Sequence, residues 1–177
     1  MRLAWLGLSF LLLLGAGQFA YAQPSPVAEY ALKSTLLFKL PQFVYRASSD
    51  TGQPLSICLL GTNPFGGAPE KLAQSPIGGR SVRYQRIAAV VDAGDCDFVF
   101  ISRSESGNLD GVLRRLSAYP VVTVSDIEGF ARTGGMVEFA LGGEGAAVSI
   151  HLNRKAAARQ GIEFNAQLLR LAKVIDP

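Results

Sequence analysis

Short apolar segments separated by polar, turn-forming residues run through the middle of the chain. Three of them, Leu55–Leu60, Phe98–Ile101 and residues 121–124, are largely apolar, as expected of strands that are buried on both faces. Residues 81–87 alternate in character and include two arginines, which predicts a half-exposed strand nearer an edge. From Leu109 to Leu116, apolar residues recur at the i, i+3, i+4, i+7 spacing of an amphipathic helix. The pattern predicts strands that alternate with helices.

The two ends of the chain follow different patterns. Residues 27–45 carry an approximate apolar stripe, which predicts a helix that kinks or ends at Pro41. Residues 136–141 and 146–152 flank a glycine-rich connection and predict an antiparallel hairpin, and residues 164–175 predict an amphipathic helix. The predicted fold is therefore α/β: a single-domain sandwich whose mixed, mostly parallel sheet has helices on both faces and a C-terminal β-hairpin followed by helices.

The first 22 residues have the pattern of a secretory signal. A Met-Arg start precedes an apolar run over residues 3–14, and the segment closes on Ala20-Tyr21-Ala22. This order predicts a signal peptide that is cleaved before Gln23, because a positive start, an apolar core and an Ala-x-Ala site are its three parts. A membrane anchor is the alternative, but the apolar run is shorter than the roughly 20 residues a spanning helix needs. We expect residues 1–22 to be a signal peptide and residues 23–177 to form one periplasmic domain.

The amount and distribution of charge indicate which kinds of partner the chain can bind. The full chain has a formal net charge of +3 at pH 7, and its lysines and arginines are scattered rather than gathered in a block. Nucleic-acid binding surfaces are instead clustered and strongly basic. We therefore expect no nucleic-acid partner.

The chain has two cysteines, Cys58 and Cys96. In an exported protein, an even pair predicts one disulfide, with two buried free thiols as the alternative. Cys96 stands between Asp95 and Asp97, whose negative charges disfavour a thiolate and argue against a catalytic nucleophile.

Groups that carry out catalysis are sparse in this sequence. The single histidine, His151, lies in a strand pattern that predicts a solvent-facing side chain, and no second histidine accompanies it. Asp92, Asp95 and Asp97 flank a glycine and are expected to form a solvated turn rather than a cation site. The loop after residue 60 lacks the Lys-Ser/Thr pair of a phosphate-binding loop, and no Gly-x-Ser-x-Gly motif is present. We expect a non-enzymatic protein without a metal or another cofactor.

One ligand site is predicted solely from where polar residues lie at the ends of the predicted strands. In open α/β sheets, ligands bind beyond the carboxyl ends of the strands. The predicted strand ends carry small polar residues and one arginine, which would suit a small anion or a peptide. These residues are Gly61, Thr62, Ser102, Arg103, Ser125 and Asp126.

Several short segments, in this order and spacing, resemble the YfiR family of periplasmic proteins. They cover nearly the whole chain after the signal segment, although each is nonspecific alone. The segments are Lys33 and Phe38 leading to Phe43-Val44, Ile57 to Gly61, Asn63-Pro64-Phe65, Gly79-Arg80, Cys96, Phe98 to Ser102, Val122 to Asp126, Phe130, Gly134 to Met136, Leu152-Asn153, Ala156-Ala157 and Gln167 to Ala172.

The resemblance implies a repressor that binds the periplasmic sensor domain of an inner-membrane diguanylate cyclase and so lowers cyclic-di-GMP and biofilm formation. It also implies an outer-membrane lipoprotein of the OmpA type as a second partner, and a second copy of the chain is a further candidate. Phe130, Met136 and Leu169 are the predicted partner anchors, since interfaces centre on apolar side chains, with burial of Phe130 and Met136 in the core as the alternative.

Two departures from the family pattern are visible. Tyr45-Arg46 stands where the family usually has Trp-Pro, which bears on the identity of the partner. The second cysteine pair of well-studied members is absent, so redox tuning would rest on one bridge. The alternative function is a periplasmic small-ligand-binding protein that resembles one lobe of a solute receptor.

Overall fold

The computed structural model describes residues 25–46, 52–142 and 148–177. Within these ranges the chain forms six α-helices and nine strands. The helices are α1 Pro26–Lys39, α2 Ala68–Leu72, α3 Leu109–Leu116, α4 Phe130–Thr133, α5 Arg154–Ala158 and α6 Ala166–Leu171. The strands are β1 Val44–Arg46, β2 Leu55–Leu60, β3 Val82–Ile87, β4 Phe98–Ile101, β5 Val122–Ser125, β6 Val137–Leu141, β7 Val148–Leu152, β8 Ile162–Phe164 and β9 Lys173–Val174.

Seven of these strands form one mixed sheet in the order β3-β2-β4-β5-β6-β7-β9. The first five run parallel, β7 pairs antiparallel with β6, and β9 pairs parallel with β7. Strands β2, β4 and β5 are buried along their whole length because helical segments cover both faces of the sheet. The predicted fold class is confirmed, including the central buried strands, the edge position of β3 and the antiparallel β6–β7 pair.

Alternate side chains along each central strand pack into two separate hydrophobic cores, one on each face of the sheet. The first face carries Ile57, Leu59, Phe100 and Val124 and packs against residues of α1, α5 and α6. The larger side chains of this first core include those of Leu37, Phe38, Leu40, Phe98, Phe139, Leu152, Phe164 and Leu168. The second face carries Cys58, Leu60, Val99 and Ile101 and packs against Val112 and Leu116 of α3 and Phe130 of α4.

Cys58 and Cys96 form a disulfide within the second core, with their Cα atoms 6.0 Å apart. Cys58 lies in β2, and Cys96 lies just before β4, the neighbouring parallel strand. The bridge therefore ties two adjacent central strands together across 38 residues of chain. The predicted pairing is confirmed.

Both predicted terminal helices are shorter in the structure. Helix α1 ends at Lys39 and passes through a 3-10 turn, Leu40–Phe43, into strand β1. Strand β1 pairs antiparallel with β8, and the pairing places Val44 opposite Phe164. Phe164 is therefore a strand residue, and the prediction of one continuous helix over residues 164–175 is wrong.

Local capping explains the length of the last helix. The Asn165 side chain accepts a hydrogen bond from the Leu168 amide at 2.8 Å and so starts α6 at Ala166, with Asn165 as the single residue between β8 and the helix. Ala172 has extended backbone angles, which end α6 before β9. Within this short helix Leu168 is buried, whereas Leu171 is 74% exposed.

Two predictions concern residues outside the described ranges. The signal peptide of residues 1–22 lies there, as does most of the glycine-rich connection between β6 and β7. Among the described residues, no helix combines the length and apolar character needed to span a membrane.

Candidate functional site

A cavity of about 630 Å³ opens beside the carboxyl ends of β4 and β5. Its floor is formed by Glu138 of β6 and His151 of β7, which are directly opposite each other in the strand pairing. Arg103 follows β4, Asp126 follows β5 and Arg132 belongs to α4, and all three line the same cavity. The cavity thus gathers four charged residues and one histidine from five segments on the second face of the sheet.

Asp126 is the most highly connected carboxylate at this edge. Its Oδ2 atom accepts hydrogen bonds from Lys33 Nζ at 2.8 Å and from the Tyr30 hydroxyl at 2.9 Å. Arg103 Nε lies 3.1 Å from the same oxygen. Lys33 also forms an ion pair with Glu29, one turn earlier in α1. One oxygen atom therefore connects α1 to the segment that follows β4.

The Lys33–Asp126 pair is fully buried, since both side chains have 0% relative exposure. Burying an ammonium or a carboxylate alone costs several kcal/mol, so each group depends on its partners to offset the cost of its burial. The Oδ1 atom of Asp126 is also buried but has no hydrogen-bond partner among the described residues. Burial, followed by the hydrogen bond to Asp126, raises the pKa of Tyr30 to about 12. The network therefore keeps the Tyr30 hydroxyl protonated as a donor.

Glu138 organises the loop that forms one wall of the cavity. Its two carboxylate oxygens accept backbone hydrogen bonds from Gly129 at 3.1 Å and from Ala131 at 2.9 Å. His151 Nδ1 lies 3.7 Å from Glu138 Oε1, and the His151 side chain is 20% exposed. His151 was predicted to face solvent, but it lines the cavity, because the β6–β7 register places it opposite Glu138.

The structure brings together two of the six residues predicted to form a ligand cleft. Arg103 and Asp126 form an ion pair at the cavity. Ser125 is fully buried and has a structural role, since its hydroxyl donates to the Ile101 carbonyl at 2.7 Å and accepts from the Ile127 amide at 3.0 Å.

The remaining three predicted cleft residues do not line the cavity. Ser102 is buried, and its amide donates to the Leu60 carbonyl. The Thr62 amide donates to Ser104 Oγ at 2.9 Å. Gly61 has a φ of +93°, and a Cβ atom there would lie 2.4 Å from Ser104 Oγ. The turn after β2 is thus closed against the turn after β4.

Two of the three predicted partner anchors belong to the core. Phe130 is 0% exposed and Met136 is 1% exposed. The Phe130 ring packs directly over Gly135, where a Cβ atom would lie 2.1 Å from a ring carbon. Neither side chain reaches the surface, so the structure supports the alternative that Phe130 and Met136 are core residues.

Leu169 is half-buried and lines a shallow cavity of about 260 Å³ on the first face of the sheet. Phe164 and Ile162 form the apolar part of this cavity, and Arg154 and Glu163 supply charged groups beside it. An apolar centre with a charged rim is the usual composition of a protein-binding patch. Leu169 therefore remains a predicted partner contact.

Comparison with known proteins places the chain in a family. The family model described as YfiR/HmsC-like matches residues 30–173. The chain belongs to the YfiR/HmsC-like family. Membership supports a regulatory role in the periplasm in general terms, and a disulfide is typical of proteins in that oxidising compartment.

Solved structures share the fold of this YfiR/HmsC-like chain at low identity. One is the ABC domain in complex with L-Trp from Streptococcus pneumonia, with 13% identity and a TM-score of 0.56 over 83% of this chain. Another is a conserved domain protein from Vibrio cholerae, with 10% identity and a TM-score of 0.57 over 82% of this chain. The chain spans 60% and 59% of those two structures. No curated protein matches the sequence.

Of the three aspartates predicted to form a solvated turn, Asp92 and Asp95 are exposed, whereas Asp97 is only partly exposed and forms ion pairs. Asp97 pairs with Arg46 at 2.5 Å and with Arg80 at 3.6 Å, and it accepts the Ser56 amide at 2.8 Å. These contacts join β1 to the start of β2 and β4 in the YfiR/HmsC-like fold. Asp97 is therefore a structural residue. Among the described residues, no group of histidine, cysteine and acidic side chains is arranged to hold a metal ion.

Several residues at or beside the cavity of about 630 Å³, called the main cavity below, belong to no sequence motif that would have predicted them as site residues. Glu138 is an acidic residue between two apolar strand residues, which is the signal that marks it as a buried charge. Its pairing with His151 depends on the hairpin register, and Arg132 lies in a four-residue helix. Lys33 follows Glu29 at i+4 spacing, which also occurs in surface ion pairs of helices.

Proposed function

We propose that this protein is a periplasmic, non-enzymatic regulator that binds and represses the periplasmic sensor domain of an inner-membrane diguanylate cyclase. The family match over residues 30–173 carries the proposal. Repression lowers cyclic-di-GMP in the cytoplasm and reduces surface attachment. An outer-membrane lipoprotein of the OmpA type is proposed as a second partner that sequesters the regulator.

We place the partner contact at the shallow cavity around Leu169. Leu169 and Phe164 provide the apolar centre, while Arg154 and Glu163 stand at its sides. Tyr45 pairs with Glu163 across β1 and β8 and is 63% exposed, so we add it to the proposed contact. Exposed aromatic side chains are the kind of anchor that contributes most to binding.

A deletion experiment tests the regulatory activity. Loss of the gene should raise cytoplasmic cyclic-di-GMP and increase surface attachment, and a plasmid copy should reverse both. Unchanged cyclic-di-GMP in the deletion strain would contradict the proposal. In that case the alternative, a periplasmic ligand-binding protein, should replace it.

A binding experiment tests the surface. The mature protein should retain the periplasmic domain of a membrane cyclase from the same genome in a pull-down, and Leu169→Glu should abolish retention. Leu32→Glu is the matched control, because Leu32 is a leucine on α1 that is 38% exposed. Circular dichroism of both variants confirms that they are folded. Equal retention by the two variants would show that the contact lies elsewhere.

A further inference from the structure

The main cavity contains more hydrogen-bond donors than its own acceptors use. Both oxygens of Glu138 accept backbone amides, and Asp126 Oδ2 accepts from α1 and from Arg103. Arg103 makes these contacts through Nε, at 3.1 Å to Asp126 Oδ2 and 3.3 Å to the Asp126 carbonyl. Its two terminal guanidinium nitrogens have no partner among the described residues.

Arg132 adds a second guanidinium to the same cavity. Arg132 is exposed on α4, and its side chain makes no hydrogen bond or ion pair within the described part of the chain. Glu128 is the remaining exposed carboxylate that lines the cavity. The lining thus carries two guanidinium groups and three carboxylates, of which Glu138 and Asp126 Oδ2 already accept hydrogen bonds within the protein. The hydrogen-bond donors left open are those of the two guanidinium groups, and they suit a ligand that presents a carboxylate.

The apolar residues of the lining indicate that the ligand also has an apolar part. Ile127, Ala140 and Leu141 line the cavity beside the charged groups, and Leu141 is 68% exposed. A volume of about 630 Å³ falls in the range of roughly 300–1,000 Å³ that is usual for small-molecule sites. Apolar walls would bind a hydrocarbon or aromatic body, while a guanidinium offers two parallel donors to a carboxylate.

We propose that this cavity is a binding site for a small organic carboxylate with an apolar body, held through its carboxylate by Arg103 and Arg132. The site lies on the second face of the sheet, with Ile127, whereas Leu169 belongs to the first face. It is therefore separate from the proposed partner surface, and its test does not depend on a cyclase partner.

An NMR titration of the mature protein with three matched probes tests the proposal. The probes are phenylacetate, its neutral analogue phenylacetamide and the cation phenethylamine. Phenylacetate should shift the amide signals of residues 127–132, 140–141 and 151 in a saturable way, and the other two probes should bind at least about tenfold more weakly, since a charge-assisted contact is lost.

Three glutamine variants locate the carboxylate. Arg103→Gln and Arg132→Gln should each weaken phenylacetate binding by roughly tenfold. Arg170→Gln, at an exposed position on α6, should leave it unchanged. The Arg132 side chain makes no hydrogen bond or ion pair among the described residues, so its variant remains informative if Arg103→Gln does not fold.

The outcomes separate the proposal from its alternatives. Saturable shifts at the cavity that are lost in Arg132→Gln support it. Equal binding of phenylacetamide would overturn the role of the arginines, and stronger binding of phenethylamine would show a cation site. Shifts confined to residues around Leu169, or no saturation by phenylacetate, would show that the cavity is not a carboxylate site.

Discussion

Removing the Asp126 charge should destabilise the protein strongly. Asp126→Asn keeps the size of the side chain but takes away the negative charge that faces Lys33 at 2.8 Å, and both side chains have 0% exposure. Breaking a buried ion pair by removing one partner costs about 3–5 kcal/mol, because the other charge stays buried. Lys33 keeps its ion pair with Glu29, so we expect the lower end, about 3 kcal/mol.

Urea denaturation followed by circular dichroism measures this loss. With a slope of about 2 kcal/mol per molar urea, a loss of about 3 kcal/mol lowers the midpoint by about 1.5 M. Asp176→Asn, at an exposed position near the C-terminus, is the matched control and should leave the midpoint unchanged.

A double-mutant cycle isolates the pair from the rest of the network. Lys33→Met removes the buried ammonium, so the combination with Asp126→Asn leaves neither charge of the pair. The double variant should be more stable than the sum of the two single losses predicts, by about 1 kcal/mol or more. Strictly additive losses, or a midpoint for Asp126→Asn equal to that of the control, would refute the reasoning.

Three further changes test other parts of the structure. Mass spectrometry of the exported, non-reduced protein should show no free thiol, and replacing Cys58 and Cys96 by alanine should cost about 4 kcal/mol for this 38-residue separation. Leu168→Ala should cost about 2–5 kcal/mol in urea denaturation, whereas Leu171→Ala, 74% exposed, should cost less than about 0.5 kcal/mol. Because the folded-state pKa of Tyr30 is raised from 10.0 to about 12, its contribution to stability is complete below pH 10 and is lost toward pH 12; Tyr30→Phe should reduce that loss.

The central sheet was predictable because its signals are local. A strand buried on both faces needs a run of apolar residues, and β2, β4 and β5 each have one. The disulfide was predictable for a similar reason, since an exported chain with two cysteines has one way to pair them.

The errors occur where long-range pairing overrides a local pattern. Strands β1 and β8 have three residues each, and each forms because the other is present more than a hundred residues away. Phe164 and Leu168 fit one helical stripe in the sequence and are both buried, but Phe164 is held by a strand pair and Leu168 by a capped short helix. Spacing alone does not distinguish these two ways of burying a residue.

The residues of the cavity were also hard to predict, because they are brought together by contacts between distant parts of the sequence. Lys33 reaches Asp126 across 93 positions of sequence, and the oxygen that receives it also faces Arg103. If a ligand carboxylate binds the free nitrogens of Arg103, it competes with Asp126 for that guanidinium and weakens one of the contacts that offset the burial of Asp126. Lys33 and Tyr30 of α1 donate hydrogen bonds to the same oxygen of Asp126, so a weaker Arg103–Asp126 contact would alter the contacts of α1 as well. A packed hydrocarbon contact in place of Lys33 and Asp126 would hold the helix as well, but it would not couple α1 to the charge state of the cavity.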